Sequence, residues 1–362
     1  MARLVAAFGS SHSIMLTAGL ENWISDFRTR DPKLPLYDRA GNRCSYDDCV
    51  AEAAANADAL IAPAAITRRF EQAQAAMDAL QAAITAARLD ALVVVGDDQD
   101  ELFHDAHMPA IAIYYGATIR NAAQPYVSAT EPLPDWYQRA QQARLEPDGD
   151  AHHPVHSALA SHLIDGLVQR DFDIAAVKAI GPEQYEGHAY SFVHRRYLAG
   201  SALPIVPVFL NTYTPPNQPS PRRCVALGRA LAAEIARFPG DIRVGAIASG
   251  GLSHFRVEED LDRAIIDAMR AKDLDALAGL DPRRAAGRQL RDPQLAGGGG
   301  RGDRPRPRLG RLHPRLSHAG PDRHRPLLRG LVVSAVPRRG RRQDAWPSAA
   351  AVRQLAKGWR AR

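Results

Sequence analysis

Cysteine is scarce in this 362-residue chain, with only Cys44, Cys49 and Cys224. Three scattered thiols do not make a disulfide framework, and a reducing cytoplasm is the compartment they fit. Long apolar runs are also missing. None reaches the roughly 18 residues that a bilayer-spanning helix needs, so the sequence reads as having no membrane segment. The opening stretch MARLVAAFGSSHSI has one Arg and a short apolar run. It lacks the long hydrophobic region and small-residue cleavage site of a signal peptide and is read as a first strand. No internal repeat is seen. What the chain does have is 46% hydrophobic residues, enough for a sizeable core.

The formal net charge of +6 is unevenly distributed. From Arg288 onward there are 18 Arg and one Lys against four Asp, a net of +15, which leaves the rest of the chain at −9. The body is acidic and only the tail is basic, so a nucleic-acid role would rest on the tail alone.

Short apolar runs alternate with longer helical patterns. Strands are expected at 4–8, 91–95, 110–114, 174–180, 205–210 and 242–247, several of them apolar at every position, as strands covered on both faces are. Helices are expected at 68–87, 156–169, 222–237 and 258–271. This alternation predicts an α/β fold: a central, mostly parallel or mixed sheet flanked by helices. The stretch 116–154 is weakly periodic and reads as a long surface excursion with a short helix near 135–143. The expected domain is 1–287. Beyond it, 288–362 is rich in Gly, Arg and Pro and has no helix or strand period. It reads as a disordered basic tail or as an out-of-frame translation. On the second reading, Asp-Pro-Gln-Leu-Ala-Gly-Gly at 292–298 can be encoded by codons that, shifted by one base, spell Ile-Arg-Asn-Trp-Leu-Ala.

Four clusters carry candidate chemistry. Phe8-Gly9-Ser10-Ser11-His12-Ser13 ends a strand in small residues and presents an imidazole where open α/β sheets bind ligands. A His capping the next helix is the plainer reading. Gly96-Asp97-Asp98-Gln99-Asp100-Glu101 packs carboxylates at a second strand end, where they repel unless a cation or hydrogen-bond donors offset them. The same residues suit a solvated acidic loop, and His104 and His107 just beyond read as surface residues. In Glu186-Gly187-His188 and the run to Arg196, His188 suits acid–base work. There Arg195 or Arg196 suits a substrate carboxylate, and His194 is expected to be exposed. Ser249-Gly250-Gly251-Leu252-Ser253-His254 runs into Glu258 and Glu259, which suit either a metal or an acidic first helical turn.

Taken in order, FGSSHS, GDD, GHAYSFVHRR, PVFLNTYTPPNQP and SGGLSH followed by acids resemble the catalytic subunit of class III extradiol dioxygenases, the protocatechuate 4,5-dioxygenase and 3-O-methylgallate dioxygenase group. The resemblance spans about residues 3–285. It implies a non-haem Fe(II) enzyme that opens a catecholic acid such as 3-O-methylgallate, gallate or protocatechuate with O2, the metal held by two His and a carboxylate. By position, His12 resembles the first ligand, Glu259 the carboxylate and His188 the acid–base residue. The second His ligand falls on Gln99, beside Asp98, a departure that leaves open which residue serves. Asn211, Tyr213, His254 and Arg195 would line the substrate pocket. The resemblance also implies a homodimer, with a small helical subunit as a further partner; the acidic body and the short apolar runs imply neither nucleic acid nor membrane. Two rivals remain: a zinc- or iron-dependent hydrolase using His12 and Glu259, and a catalytically impaired relative acting in binding or assembly.

Overall fold

The computed structural model describes residues 1–33, 36–38, 43–53, 57–99, 101–104, 107–124, 133–212, 214–253 and 258–281. The tail assigned to 288–362 lies outside them, as do Tyr213 and His254.

Strand β1 (Arg3–Ser10) opens the chain, followed by short helical turns and helix α1 (Phe27–Arg30). The pair β2 (Leu36–Tyr37) and β3 (Arg43–Cys44) precedes α2 (Tyr46–Ala51), α3 (Ala57–Ile61) and the long α4 (Pro63–Ala86). Then come β4 (Ala91–Asp97), β5 (Ile111–Tyr114), β6 (Thr118–Asn121), α5 (Asp135–Gln142), β7 (Ala151–Pro154), α6 (Ser157–Val168), β8 (Ala175–Val177) and α7 (His188–Tyr197). The described elements close with β9 (Ile205–Leu210), α8 (Pro221–Arg237), β10 (Arg243–Ser249), α9 (Glu259–Ala271) and α10 (Leu274–Ala278). No described helix is long and apolar enough to cross a membrane.

Six strands form one mixed sheet in the order β1-β10-β4-β9-β5-β8. The pairs β1–β10, β10–β4 and β4–β9 are parallel, and only β5–β9 is antiparallel. These are the six strands expected from the apolar runs. Because side chains alternate across a strand, β4 serves two cores at once. Leu92 and Val94 pack with Met77, Leu80 and Ile84 of α4 and with Tyr190 and Phe192 of α7. Ala91 and Val93 face the other way, onto Leu159, Leu163 and Leu167 of α6 and Leu227, Leu231 and Ile235 of α8. The three α6 leucines fall four residues apart, on one helical face. Each is fully buried, which contributes roughly 1.5–3 kcal/mol per side chain.

The stretch 116–154 carries its expected short helix, α5, but is more ordered than a surface excursion. Its ends pair as an antiparallel hairpin, Thr118–Asn121 on Ala151–Pro154, with α5 between them. His194 also departs from expectation. It is 3% exposed, because α7 buries nearly its whole circumference, from His188 through His194. The parallel arrangement sends the carboxyl ends of β1, β10, β4 and β9 to one edge of the sheet, the edge at which open α/β sheets place their ligands.

Candidate active site

His12 follows β1 at that edge and is buried. Its Nδ1 stands 3.1 Å from Ser249 Oγ at the end of β10. The Ser249 hydroxyl donates to the carbonyl of Ala189 at 2.7 Å, so its oxygen is left to accept. That fixes the proton of His12 on Nδ1 and leaves Nε2 as the electron-pair donor. Nε2 points at two groups, His188 Nε2 at 3.1 Å and Asp97 Oδ1 at 3.4 Å.

His188 is the first residue of α7 and is oriented from its other side. Its Nδ1 donates to Glu101 Oε2 at 2.7 Å, and its backbone N–H donates to Glu101 Oε1 at 3.0 Å. Tyr185 OH donates to the same Oε1 at 3.0 Å. Burial alone would push the His188 pKa down, but the Glu101 carboxylate outweighs it and raises His188 above its ordinary value. Burial would likewise raise Glu101, and the charge and hydrogen bonds of His188 reverse that and hold it below the usual carboxylate range. In this buried hydrogen-bonded pair the shared proton sits on His188 Nδ1.

Two imidazole nitrogens facing at 3.1 Å cannot both present lone pairs to empty space. Either a proton or a cation must lie between them. His12, Asp97 and His188 each bring one donor atom within 4.8 Å of the others. Imidazole and carboxylate donors together suit a divalent transition metal.

The other expected residues are placed as follows. Gln99 donates its amide to Asp97 Oδ2 at 2.8 Å, tethering the carboxylate that faces His12. Asp98 is turned inward and accepts from the backbone N–H of Leu102 at 2.9 Å and of Phe103 at 3.2 Å. Burial, then the charge of Glu101, pushes its pKa up to about 7 against those donors. Glu259 begins α9 and accepts from Arg263 at 3.1 Å. Asn211, after β9, accepts from the Thr214 N–H at 2.7 Å and donates to Asn217 at 2.7 Å, closing the 211–217 turn. Arg195 lies further along α7 and donates to Glu146 at 3.3 Å.

Asp97, Glu101 and Ser249 were not singled out from sequence. The first two belong to the dense acidic run after β4, and that density was their signal. Ser249 opens the SGGLSH run, but its part depends on the register of β10 against β1, where it pairs with Ser10. Beside the site, a cleft of about 520 Å3 is lined by Leu102, Phe103, Met108, Val177, Ile180 and Gln184 among others. Gln184 ties its wall to the carbonyl of Leu102 at 2.8 Å. Its apolar character suits a flat aromatic ring.

Comparison with known proteins identifies the family. The family described as catalytic LigB subunit of aromatic ring-opening dioxygenase matches residues 70–288. A 2,3-dihydroxyphenylpropionate/2,3-dihydroxicinnamic acid 1,2-dioxygenase from Comamonas testosteroni is 29% identical over 182 residues, which are 49% of this chain and 47% of the relative. The chain thus spans about half the length of the curated relative it matches. His12 lies ahead of the family match, and His188, Asp97 and Glu101 lie within it. This chain belongs to the LigB family, the catalytic subunits of aromatic ring-opening dioxygenases.

Proposed function

We propose that this protein is an Fe(II)-dependent extradiol dioxygenase that opens the ring of a catecholic aromatic acid, such as 3-O-methylgallate, gallate or protocatechuate, with O2. The observation that carries the reading is the convergence of His12 Nε2, His188 Nε2 and Asp97 Oδ1 at the carboxyl edge of the sheet, with each imidazole oriented through its other nitrogen.

His12 and Asp97 would hold the metal, and Gln99 would fix the Asp97 carboxylate. Glu259, carried by the resemblance, is the third proposed donor once it leaves Arg263. A ferrous ion held there would supply Lewis acidity that favours the ionised diol and the redox chemistry that O2 requires.

His188 is the imidazole whose basicity Glu101 raises, so it takes the proton work. Its Nε2 accepts a proton from a substrate hydroxyl. The charge is stabilised through Nδ1 by Glu101, and the same Nε2–H returns the proton to an oxygen of the opening ring. Asp98 holds the turn that aims Glu101. Asn211 and Tyr213 are the proposed pocket residues at the end of β9, His254 follows β10, and Arg195 is the proposed carboxylate partner. The protein is proposed to act in the cytoplasm as a homodimer, with a small helical subunit as a further partner.

The test is oxygen consumption by the iron-loaded protein with the three substrates, alongside metal analysis. Ring-opened product with one O2 consumed per ring supports the reading. Hydrolysis of an ester or amide without O2 uptake would replace it with the hydrolase.

A further inference from the structure

Two arginines near the proposed active site keep buried nitrogens without partners. Arg144 follows α5 and is 6% exposed. Its Nε is sealed in the protein and has no hydrogen-bond partner among the described residues. Arg30 ends α1 and lies over the ring of Tyr137, a residue of α5, with Cζ 4.4 Å from the ring centroid. Its Nη1 is likewise buried and without a partner among the described residues. Neither guanidinium forms an ion pair with a described carboxylate. Buried polar groups are nearly always hydrogen-bonded, and buried charges are paired. A guanidinium cannot escape by giving up its proton.

The neighbouring groups do not supply the missing acceptor. Burial raises the pKa values of Tyr137 and Tyr185, and the positive charge of Arg144 only partly opposes it, so both phenols stay neutral at neutral pH. Glu101 is spent. Its Oε2 accepts from His188 Nδ1, and its Oε1 accepts from the His188 N–H and the Tyr185 hydroxyl.

The elements that carry the two arginines pack around the loop of His12. The Thr17 hydroxyl donates to the Ala140 carbonyl at 2.7 Å, which ties α5 to the turn Ile14–Thr17 just after His12. Phe27 of α1 meets Trp136 of α5 edge to face, with ring centroids 4.8 Å apart. At His188 the charge of Arg144 adds to the lowering by burial, which Glu101 outweighs, so the guanidinium lies within electrostatic reach of that imidazole.

We propose that Arg30 and Arg144 form a carboxylate-binding site beside the His12–His188 centre, and that its ligand is the acid group of an aromatic ring. The planar guanidinium fork matches a carboxylate and gives the strong, charge-assisted class of hydrogen bond. Arg195 would have to release Glu146, at 3.3 Å, to bind the same group. That the ring is the substrate rests on the ring-opening assignment; the site itself does not.

The test is equilibrium binding to the full-length chain in the absence of O2. Benzoate, which has the acid group and no diol, is titrated into the metal-free protein by calorimetry. Protocatechuate and catechol, with and without the acid group, are titrated into the iron-loaded protein. Arg144→Met should weaken binding of the acids by about tenfold or more, the worth of a hydrogen bond to a charged group. Arg30→Gln, at a half-buried position, should weaken it as well. Benzoate should raise the urea midpoint of the parent and not that of Arg144→Met, a difference that a purely structural arginine would not produce. Protocatechuate weakened while catechol is unchanged makes the bound acid the substrate's own. Benzoate weakened while protocatechuate is unchanged makes it a free aromatic acid. If neither acid loses affinity in either variant, the proposal is overturned. No arm needs turnover, so a failure to open rings would sink the enzymatic assignment and leave the site standing.

Discussion

The Cβ that Gly187 lacks would stand 2.9 Å from Oε2 of Glu101, the oxygen that holds His188 Nδ1. Gly187 also has φ +83° and ψ 159°, a conformation that side chains oppose. Glu101 cannot swing away cheaply, because it is buried and accepts three hydrogen bonds. Gly187→Ala is therefore expected to lose about 1–3 kcal/mol of stability and to lower kcat by displacing the carboxylate behind His188. Urea unfolding and turnover measured on one preparation check both. Unchanged turnover would show that Glu101 need not be held there.

The six sheet strands were legible because each is an apolar run bounded by turn residues, and burial on both faces leaves that imprint. Helix α7 was not, because a helix is recognised by a polar face and this one buries His188, Ala189, Tyr190, Ser191, Phe192, Val193 and His194 together. The charged neighbours Arg195 and Arg196 suggested that His194 faces water. Successive helical residues turn by about 100°, so adjacency in sequence says little about shared exposure. The hairpin of β6 and β7 was hidden by its polar content, Arg120 and Asn121 opposite His152 and Ala151. In the site, His12 and His188 were legible as imidazoles after small residues. Their partners were not, since Ser249 lies 237 residues from His12 and Glu101 lies 87 from His188. Contacts that distant exist only once strand register is set.

Glu101→Gln probes the proton work. The carboxylate raises the His188 pKa against the effect of burial, so removing its charge lets that pKa fall. If neutral His188 is the base, kcat/KM rises with pH through its pKa, and the rising limb should move to lower pH in the variant. A limb that stays in place would assign the titration to another group.

His12→Ala and His188→Gln should part company. The first removes an imidazole whose Nδ1 is anchored by Ser249, and both metal content and turnover should be lost. The second should keep the metal and lower kcat by about 10²–10⁴, the usual contribution of a general acid or base. Retained ring opening in His12→Ala would contradict its role as a ligand.

The family match ends at residue 288, where the composition turns basic. A change of reading frame would place both boundaries there. Independent reads of the gene across codons 288–298 are expected to show the shifted frame that encodes Ile-Arg-Asn-Trp-Leu-Ala. An intact frame would leave the basic tail as a real segment of the protein.

Asp262 gives a prediction about stability alone. Its carboxylate is buried in α9 and accepts from the Ser253 N–H at 2.8 Å and the Ser253 hydroxyl at 3.0 Å. Burial pushes its pKa up to about 6, with Glu258 and Glu259 adding to the rise and the Ser253 hydrogen bonds opposing it. The unfolded chain gives up this proton near its ordinary value of 3.8. Between about pH 4 and pH 6 the folded state thus binds more protons than the unfolded one, and stability falls as pH rises. The loss is complete above pH 6 and amounts to about 2–3 kcal/mol at 1.36 kcal/mol per pKa unit. Asp262→Asn cannot ionise. Its amide oxygen still accepts from the Ser253 N–H, and its amide nitrogen can donate to the Ser253 hydroxyl oxygen. The variant should match the parent near pH 4 and exceed it at pH 8, read as a higher urea midpoint with an unchanged slope. A parent chain more stable than the variant at pH 8 would mean that the ionised carboxylate is favourable where it sits, held by more than the Ser253 hydrogen bonds.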